Sequence, residues 1–250
     1  MFNKIKTTQE IDAMRAGGRI LAQILQEVKE KVQPGVSTKE LADHAAKRLK
    51  DFKADPVTLG YLGYPDVLCV SVNDEVVHGI PKVDHILKEG DIVGLDFVVK
   101  YQGMITDAAL SVVAGKSSPK IQQFISTTER ALLDGINTIN GATRVGDIAN
   151  AVETTLKKAG YGVVEDLVGH GVGHEMHEEP NIPNYGRKGS GMLLKPGMTI
   201  AIEPMATLGS HQVYCDRDGW TIKTADGSLA AHFEHTILIT EHAAEILTLA

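Results

Sequence analysis

The chain has 250 residues, of which 43% are hydrophobic and 23% are charged, and these are the proportions of a soluble globular protein. A formal net charge of −7, with no run of Lys or Arg longer than two, argues against a nucleic-acid-binding surface, so we expect no DNA partner. The N-terminus has no apolar signal-like segment, and no stretch reaches the roughly 20 apolar residues of a membrane span. Two cysteines, Cys69 and Cys215, form neither a disulfide framework nor a metal-binding spacing, which favours a reducing, cytoplasmic location.

Helix signals come first in each half of the chain. Thr7-Thr8-Gln9-Glu10 is a capping-box pattern, and apolar residues follow it at helical spacing as far as Pro34. A second box, Ser37-Thr38-Lys39-Glu40, begins a helix that extends to about Asp51. Two further helices are expected, from Ser118-Pro119 to just before Gly141 and from about Val145 to Ala159.

Strand-like runs follow the helices, near residues 66–72, 91–99, 104–113, 198–206, 219–224, 232–240 and 243–248. Between the second and third runs lies Tyr101-Gln102-Gly103, a hairpin-turn signal that would put Asp96 and Asp107 on adjacent antiparallel strands. This order of elements predicts an α+β fold in which helices pack outside an antiparallel β-sheet, as a single domain over residues 1–250.

An internal repeat with an offset of 107 residues relates the two halves of the chain. Leu87-Lys88-Glu89-Gly90, followed by Asp96, matches Leu194-Lys195-Pro196-Gly197, followed by Glu203. The same offset aligns residues 40–43 with residues 147–150. We therefore expect two similar halves, about 1–110 and 111–250, related by a pseudo-twofold axis that brings Asp96 and Glu203 face to face.

The strongest chemical signal is a set of five residues, Asp96, Asp107, His170, Glu203 and Glu234. The four carboxylates lie in apolar runs, and the histidine lies in a glycine-rich turn. An ionised carboxylate is costly to bury unless it is paired or binds a cation, and two of them about 4 Å apart repel by about 4 kcal/mol at an effective dielectric near 20. If the five converge, they suit two divalent ions, with Mn, Fe, Co or Zn favoured by oxygen-rich ligation with one imidazole. Phosphatases, nucleases and aminopeptidases all use such sites, so the ligand set alone does not choose among them.

Two further histidines stand out by their context. His78 and His177 are each followed by turn residues, which predicts a position at the rim of a site rather than in a core. The others form no constellation and are expected at the surface or behind the ligands: His44, His85, His211, His232, His235 and His242.

Taken together, these motifs resemble type I methionine aminopeptidases. The resemblance extends from about Thr8 to Leu247 and is carried by residues 73–81, the Asp96 and Asp107 pair, and residues 169–173, 177–180, 194–204, 218–220 and 233–236. It implies the pseudo-twofold "pita-bread" fold, in agreement with the 107-residue repeat. No metal-finger segment precedes the motifs and no long helical insertion separates His170 from Glu203, as in the compact bacterial form.

The resemblance implies a metallo-exopeptidase that removes the N-terminal methionine from peptides and nascent proteins when the second residue is small. Asp96 would bind one of two divalent ions, Asp107 and Glu234 would bridge both, and His170 and Glu203 would bind the second. The resemblance further implies a monomer, with a transient contact with the ribosome that the residues themselves do not address.

Catalytic and substrate-binding roles follow from the same resemblance. Glu203 would carry a proton toward the leaving amine, His177 would hydrogen-bond the scissile carbonyl, and His78 would contact the scissile amide or the leaving nitrogen. The methionine side chain would occupy an apolar pocket near Tyr61, Tyr64, Cys69, Met176 and Trp220. Asn73 and Glu75 resemble a turn whose backbone can hold a monovalent cation.

The chain departs from the family pattern at three positions. Met176 stands where relatives often carry Phe, and Thr58 and His232 stand where they often carry Cys and Gln. These departures affect the expected substrate specificity of the site. They do not affect the five expected metal ligands.

Three other interpretations remain open from the sequence. Prolidase and aminopeptidase P share the five-ligand fold, normally with a large N-terminal domain, whereas only about 65 residues precede the catalytic half-site here. A hydrolase with a related dinuclear site and another substrate is the second. A catalytically inactive relative acting as a binding module is the third, but it predicts lost ligands, and all five are present.

Overall fold

A computed structural model describes residues 5–249, which contain four α-helices in two pairs: α1 (Thr8–Glu30), α2 (Thr38–Phe52), α3 (Pro119–Ile136) and α4 (Val145–Lys158). The capping boxes form as expected, because the Thr7 and Ser37 side chains each accept the backbone N–H three residues on. Helix α3 ends at Ile136, four residues earlier than expected. Beyond it the backbone N–H groups of Thr138 and Ile139 bond carbonyls three residues back, and the Thr138 hydroxyl also donates to the carbonyl of Gly135.

The strands of the described residues are short except for one hairpin. They are β1 (Asp55–Pro56), β2 (Cys69–Val72), β3 (Glu75–Val77), β4 (Ile92–Tyr101), β5 (Met104–Val113), β6 (Gly162–Val163), β7 (Gly169–Gly171), β8 (Glu178–Ile182), β9 (Thr199–Ile202), β10 (Met205–Thr207), β11 (Val213–Cys215), β12 (Ile222–Thr224), β13 (Ala230–His232), β14 (Glu234–Ile239) and β15 (Ala244–Ile246).

One large sheet organises these strands in the order β1-β4-β5-β14-β9-β7-β8, with β2 beside β4 and β15 beside β14. Two three-stranded sheets, β13-β10-β6 and β11-β12-β3, flank it. All strand pairs in the described part of the chain are antiparallel, as expected for this α+β architecture.

The β4–β5 hairpin is the longest pairing and forms where the turn signal predicts it. Gln102 and Gly103 have φ of 49° and 85°, the positive values of a two-residue turn that matches strand twist. Tyr101 therefore lies opposite Met104, and the two strands stay in register for ten residue pairs.

Two runs expected as single strands are interrupted in the structure. The run 198–206 divides into β9 and β10 at Glu203-Pro204, because proline has no N–H to donate to a ladder. The run 232–240 divides into β13 and β14 at Phe233. Six further strands of two to five residues, including β7 and β8, were not anticipated, since such short segments show no periodicity.

The 107-residue offset recurs in the backbone hydrogen bonds. Isolated β-bridges join Ser37 to Ile86 and Arg144 to Leu193, and both members differ by 107. The two halves meet where β5 pairs with β14. The assignment of residues 1–250 to one domain with two similar halves stays a prediction.

The hydrophobic core lies between the helices and one face of the large sheet. In the first half, Leu21 of α1 and Leu41 of α2 pack with Phe97 of β4. In the second half, Leu132 of α3 and Ile148 of α4 pack in the same way against β9 and β14. Because strand side chains alternate, the opposite face of the sheet is left for other residues. No helix within residues 5–249 is both long and apolar enough to cross a membrane.

Candidate metal centre and its cleft

The five residues expected as metal ligands lie on neighbouring strands of the large sheet. Asp96 lies in β4, Asp107 in β5 and His170 in β7, while Glu203 directly follows β9 and Glu234 begins β14. Residues opposite one another in a ladder share a face, and Ala109 lies opposite both Asp96 and Glu234. The strand register therefore brings carboxylates from both halves of the chain to the face away from the helices.

The ligand atoms of this cluster lie close together. Single donor atoms of Asp107, His170 and Glu234 all lie within 4.8 Å of one another, and the three residues are buried. The Nε2 atom of His170 lies 4.0 Å from Oδ2 of Asp107 and 3.5 Å from Oε1 of Glu203. Metal–oxygen and metal–nitrogen bonds of about 2.0–2.2 Å allow donors that share an ion to be up to about 4.4 Å apart.

The electrostatics of the cluster call for positive charge. Burial raises the pKa of Asp96 to about 7. Burial, followed by the neighbouring carboxylates, holds the pKa of Asp107, Glu203 and Glu234 well above the usual range. Within residues 5–249 no hydrogen-bond partner reaches the buried Oδ1 of Asp107 or Oε1 of Glu234. Orphaned carboxylate oxygens beside an imidazole are a donor set that fits divalent cations.

His170 is oriented for ligation by its own backbone. Its Nδ1 atom lies 3.0 Å from the carbonyl oxygen of Gly171, a contact that requires the Nδ1–H tautomer. Burial, and then the neighbouring His177, lower the pKa of His170 to about 4, so the ring is neutral. The lone pair of Nε2 therefore points toward Asp107 and Glu203.

Thr236 joins the strands that carry Asp107 and Glu234. Its hydroxyl accepts the N–H of Asp107 at 2.8 Å and donates to the carbonyl of the same residue, also at 2.8 Å. This side-chain link continues the β5–β14 pairing past its last backbone pair, His235 with Ala108. The two carboxylates are thereby held on rigid, adjacent backbone.

The two histidines expected at the rim lie beside the cluster. His177 is exposed; its Nδ1 atom is 3.0 Å from the hydroxyl of Tyr61, and its ring meets that of His170 edge-on at 4.4 Å between centroids. His78 takes a left-handed backbone conformation, φ 59°, which is uncommon for a residue with a side chain. Burial lowers the pKa of His78 to about 4. Its ring lies edge-on to Trp220.

The residues expected to form an apolar pocket line the same cleft as the acidic cluster. Together with the ligands, His78 and His177, the cleft is lined by Tyr61, Tyr64, Cys69, Met176 and Trp220. Tyr64 is fixed by a 2.7 Å hydrogen bond from its hydroxyl to the carbonyl of Gly79 and packs edge-on against Trp220. Thr58 and Val98, which sequence reasoning did not place in the pocket, complete the lining.

His232, expected at the surface or behind the ligands, is buried directly beside the acidic cluster. It is 3% exposed, and its Nε2 atom lies 3.6 Å from Oε2 of Glu203 and 3.9 Å from Oε2 of Glu234. Donor atoms of these three residues form a second group that can hold a metal. The sequence signal that could have found His232 is the repeat, but the offset changes beyond β10.

The turn at Asn73 is held by internal hydrogen bonds. The Asn73 side chain donates to Asp91 and accepts from the N–H of Ile92, and the carboxylate of Glu75 accepts from Val72. The backbone carbonyl of Asn73 accepts the N–H of Ala230 at 2.8 Å. A monovalent cation in this turn stays a prediction.

Comparison with known proteins assigns the class that the fold and site define. Residues 12–241 match metallopeptidase family M24, and the chain belongs to this family. It is 44% identical to a methionine aminopeptidase of Aquifex aeolicus over 99% of both chains, and 38% identical to that of Escherichia coli over 100% of this chain and 95% of the relative. The family membership makes the chain a metallopeptidase, and the resemblance to methionine aminopeptidases is confirmed.

Solved structures agree with this assignment. The crystal structure of methionine aminopeptidase from Thermotoga maritima covers 100% of both chains with a TM-score of 0.98 and 43% identity. The prolidase from Pyrococcus furiosus has a TM-score of 0.80 at 22% identity and covers 99% of this chain and 66% of its own, a likeness of fold alone. The expected α+β pita-bread fold, with its antiparallel sheet and outer helices, is confirmed.

Proposed function

We propose that this chain is a methionine aminopeptidase that removes N-terminal methionine from peptides and nascent proteins when the second residue is small. The observation that carries the proposal is a cleft whose floor holds buried, unpartnered carboxylate oxygens and whose walls are apolar. A free amino terminus with an apolar first side chain suits such a cleft, because the amine meets negative charge while the side chain is removed from water.

Two divalent ions, drawn from Co, Mn, Fe or Zn, are proposed as the cofactors. Asp96 would hold one ion, and His170 and Glu203 the other. Asp107 and Glu234 would bridge them, which agrees with their unpartnered oxygens. Ions bound there supply Lewis acidity, which polarises the scissile carbonyl and lowers the pKa of the attacking water.

The protein's own groups then position the substrate and move protons. In the tautomer whose Nδ1 atom accepts a hydrogen bond from the Tyr61 hydroxyl, His177 keeps Nε2–H as a donor to the scissile carbonyl oxygen while negative charge develops there. The Glu203 carboxylate, whose side chain is 13% exposed, reaches both the cluster and the cleft. It accepts a proton from the attacking water and delivers it to the leaving amine.

Substrate selectivity is proposed to come from the two ends of the cleft. The methionine side chain packs among Tyr64, Cys69, Met176 and Trp220, where a thioether finds soft, apolar neighbours. His78 and the bridging carboxylates occupy the space next to the leaving nitrogen, so a large second residue would clash. The enzyme is further proposed to act on nascent chains as a cytoplasmic monomer, with transient ribosome contact and a monovalent cation near Asn73.

A peptide panel tests this function. We expect Met-Ala-Ser to be cleaved well by the Mn- or Co-loaded enzyme, Met-Leu-Ser and Leu-Ala-Ser poorly, and Ala-Pro, which suits a prolidase-type enzyme, not at all. The matched control is Asp107→Ala, which loses a bridging ligand and should lose both turnover and one or more bound ions by metal analysis. Equal kcat/KM for Met-Ala-Ser and Met-Leu-Ser, or faster cleavage of Ala-Pro, would contradict the proposal.

A further inference from the structure

His232 occupies the position in the second half that Asp107 occupies in the first. Asp107 lies opposite Val98 in the β4–β5 ladder, and His232 lies opposite Met205 in the β10–β13 ladder. Val98 and Met205 are related by the same 107-residue offset as the rest of the repeat. The register thus makes His232 the counterpart of a residue whose carboxylate belongs to the metal centre.

The backbone ties of the two residues are also equivalent. The Thr236 hydroxyl bonds both the N–H and the carbonyl of Asp107, and the Ser111 hydroxyl bonds both the N–H and the carbonyl of His232, each of the latter at 2.9 Å. From Asp107 to His232 and from Ser111 to Thr236 the offset is 125. The same kind of hydroxyl link therefore joins the two strands twice, once in each direction, and both side chains reach the acidic cluster.

The free nitrogen of His232 faces the acidic cluster. Its Nε2 atom is buried, and no hydrogen-bond partner reaches it within residues 5–249. At 3.6 Å from Glu203 and 3.9 Å from Glu234, it is too far for a hydrogen bond but within the about 4.4 Å that separates donors sharing one ion. Glu203 consequently lies between two imidazoles, because its other oxygen is 3.5 Å from His170.

We infer that His232 is a further ligand of the metal centre, through Nε2, on the ion held by Glu203 and Glu234. The inference rests on the proposed dinuclear function and extends its ligand set from one imidazole to two. A second imidazole raises the affinity for Co, Zn and Fe more than for Mn, since Mn is best served by carboxylate oxygen. His232 would therefore determine which metal the enzyme prefers.

Metal affinity measured on the full-length protein tests the inference without an activity assay. We expect His232→Gln to weaken Co²⁺ binding by about 10–100-fold in calorimetric titrations and Mn²⁺ binding by no more than about threefold. The matched control is His235→Gln, three residues along, whose ring bonds Thr248 instead of facing the cluster. Equal weakening for both metals, or no change for either, would overturn the inference.

A second measurement, by NMR, observes the Nε2 nitrogen of His232 directly in the wild-type protein. With ¹⁵N-histidine labelling and Zn²⁺ as a diamagnetic probe, the Nε2 signals of both His170 and His232 should move to the metal-bound region as the site fills. The His232 signal is identified by its absence in His232→Gln. If the wild type takes up Zn²⁺ and only the His170 signal moves, His232 is not a ligand; if the wild type takes up no divalent ion, the proposed dinuclear function itself fails.

Discussion

At the scale of single residues, the ring of His177 is held in place by two neighbouring side chains. Its Nδ1 atom is already engaged by Tyr61, and its ring is steadied edge-on by His170. Nε2 is left to meet a substrate, and it is a donor in the tautomer whose Nδ1 accepts from the Tyr61 hydroxyl. The ring is exposed, so its loss should leave the core packing and the acidic cluster intact.

We therefore expect His177→Ala to lower kcat by about 100-fold or more with bound metal and folding unchanged, because a donor to the developing oxyanion is removed. Tyr61→Phe keeps the ring but frees Nδ1, and a smaller loss, about tenfold or less, is expected from an imidazole of mixed tautomer. Steady-state kinetics with metal analysis measures both. A change of less than threefold in His177→Ala would show that the residue is only part of the rim.

At the scale of elements, the metal centre depends on how closely β7 approaches β9. A Cβ atom added at Gly169 would lie 2.4 Å from the carbonyl oxygen of Ala201 and 3.2 Å from Cβ of Ile182. No side chain fits this contact, and the next residue is His170. The glycine therefore sets the distance between the imidazole and the carboxylates.

Gly169→Ala should destabilise the protein by about 1–3 kcal/mol and weaken divalent-ion binding, because β7 is forced away from β9. Gly94→Ala is the matched control in β4: its Cβ would meet Ser71 no closer than 3.6 Å, an ordinary contact, and Asp96 is two residues away. We expect it to change the free energy of unfolding by less than about 0.5 kcal/mol. Urea titrations measure the free energy of unfolding of both variants. Equal losses of stability in the two would contradict this explanation of Gly169.

A buried ion pair ties the residues before α1 to the start of β8, directly after His177. Lys6 Nζ lies 2.7 Å from Oε2 of Glu178, with side chains 0% and 1% exposed. The other oxygen of Glu178 accepts the N–H groups of His174 and Glu175. Burial raises the pKa of Glu178, but the Lys6 hydrogen bond and charge outweigh it, so the pKa lies below its usual range.

Lys6→Met should cost about 3–5 kcal/mol near pH 7, because a buried carboxylate is left without its cation. A lowered folded pKa means that the pair's contribution is complete above the ordinary carboxyl pKa of about 4.3 and is lost as the pH falls through the lower folded value. The difference between wild type and variant should therefore shrink below about pH 4. Urea unfolding of the chelator-treated proteins at pH 7 and at about pH 3 measures it.

The control for this pair is Lys157→Met, which breaks the exposed Lys157–Glu153 pair on α4. Because water screens that pair, we expect a change of less than about 1 kcal/mol at either pH. A Lys6→Met penalty equally small at pH 7, or one that grows on acidification, would show that the buried pair does not act through the charge of Glu178.

At the scale of the whole molecule, the proposed metal centre draws its residues from both halves of the sequence. Asp96 and Asp107 come from the first half, and His170, Glu203 and Glu234 come from the second. Without cations these carboxylates repel one another across the β5–β14 junction. Bound divalent ions would neutralise these carboxylates and would be coordinated by residues of both halves.

Divalent ions should accordingly raise the melting temperature of the chelator-treated protein. At an ion concentration of 100 times Kd the expected gain is about 2.7 kcal/mol, or about 5–10 °C for a chain of this size. In Asp107→Asn one repelling charge is removed, so the metal-free form should melt no lower than metal-free wild type, while the gain from ions falls. Scanning calorimetry with and without ions compares the melting temperatures of wild type and Asp107→Asn. An unchanged gain in the variant would refute the role given to Asp107.

Local interactions allow much of this protein to be predicted from the sequence alone. The two capping boxes and the helical spacing of apolar residues predict α1 and α2 to within a few residues, because helix hydrogen bonds join neighbours along the chain. Gln102-Gly103 likewise predicts the β4–β5 hairpin. The cost of burying carboxylates singles out the acidic residues, and they do line one cleft with the aromatic residues named beside them.

Long-range packing determined what the sequence left open. The short strands β7 and β8 depend on neighbours far along the chain, so no local pattern marks them. Lys6 and Glu178 are 172 residues apart and become partners only in the folded chain. The repeat does not place His232 by its 107-residue offset, because the segment between β10 and β13 changes that offset to 125. Only the strand register, which depends on pairing across the sheet, places this histidine opposite Met205 and among the carboxylates.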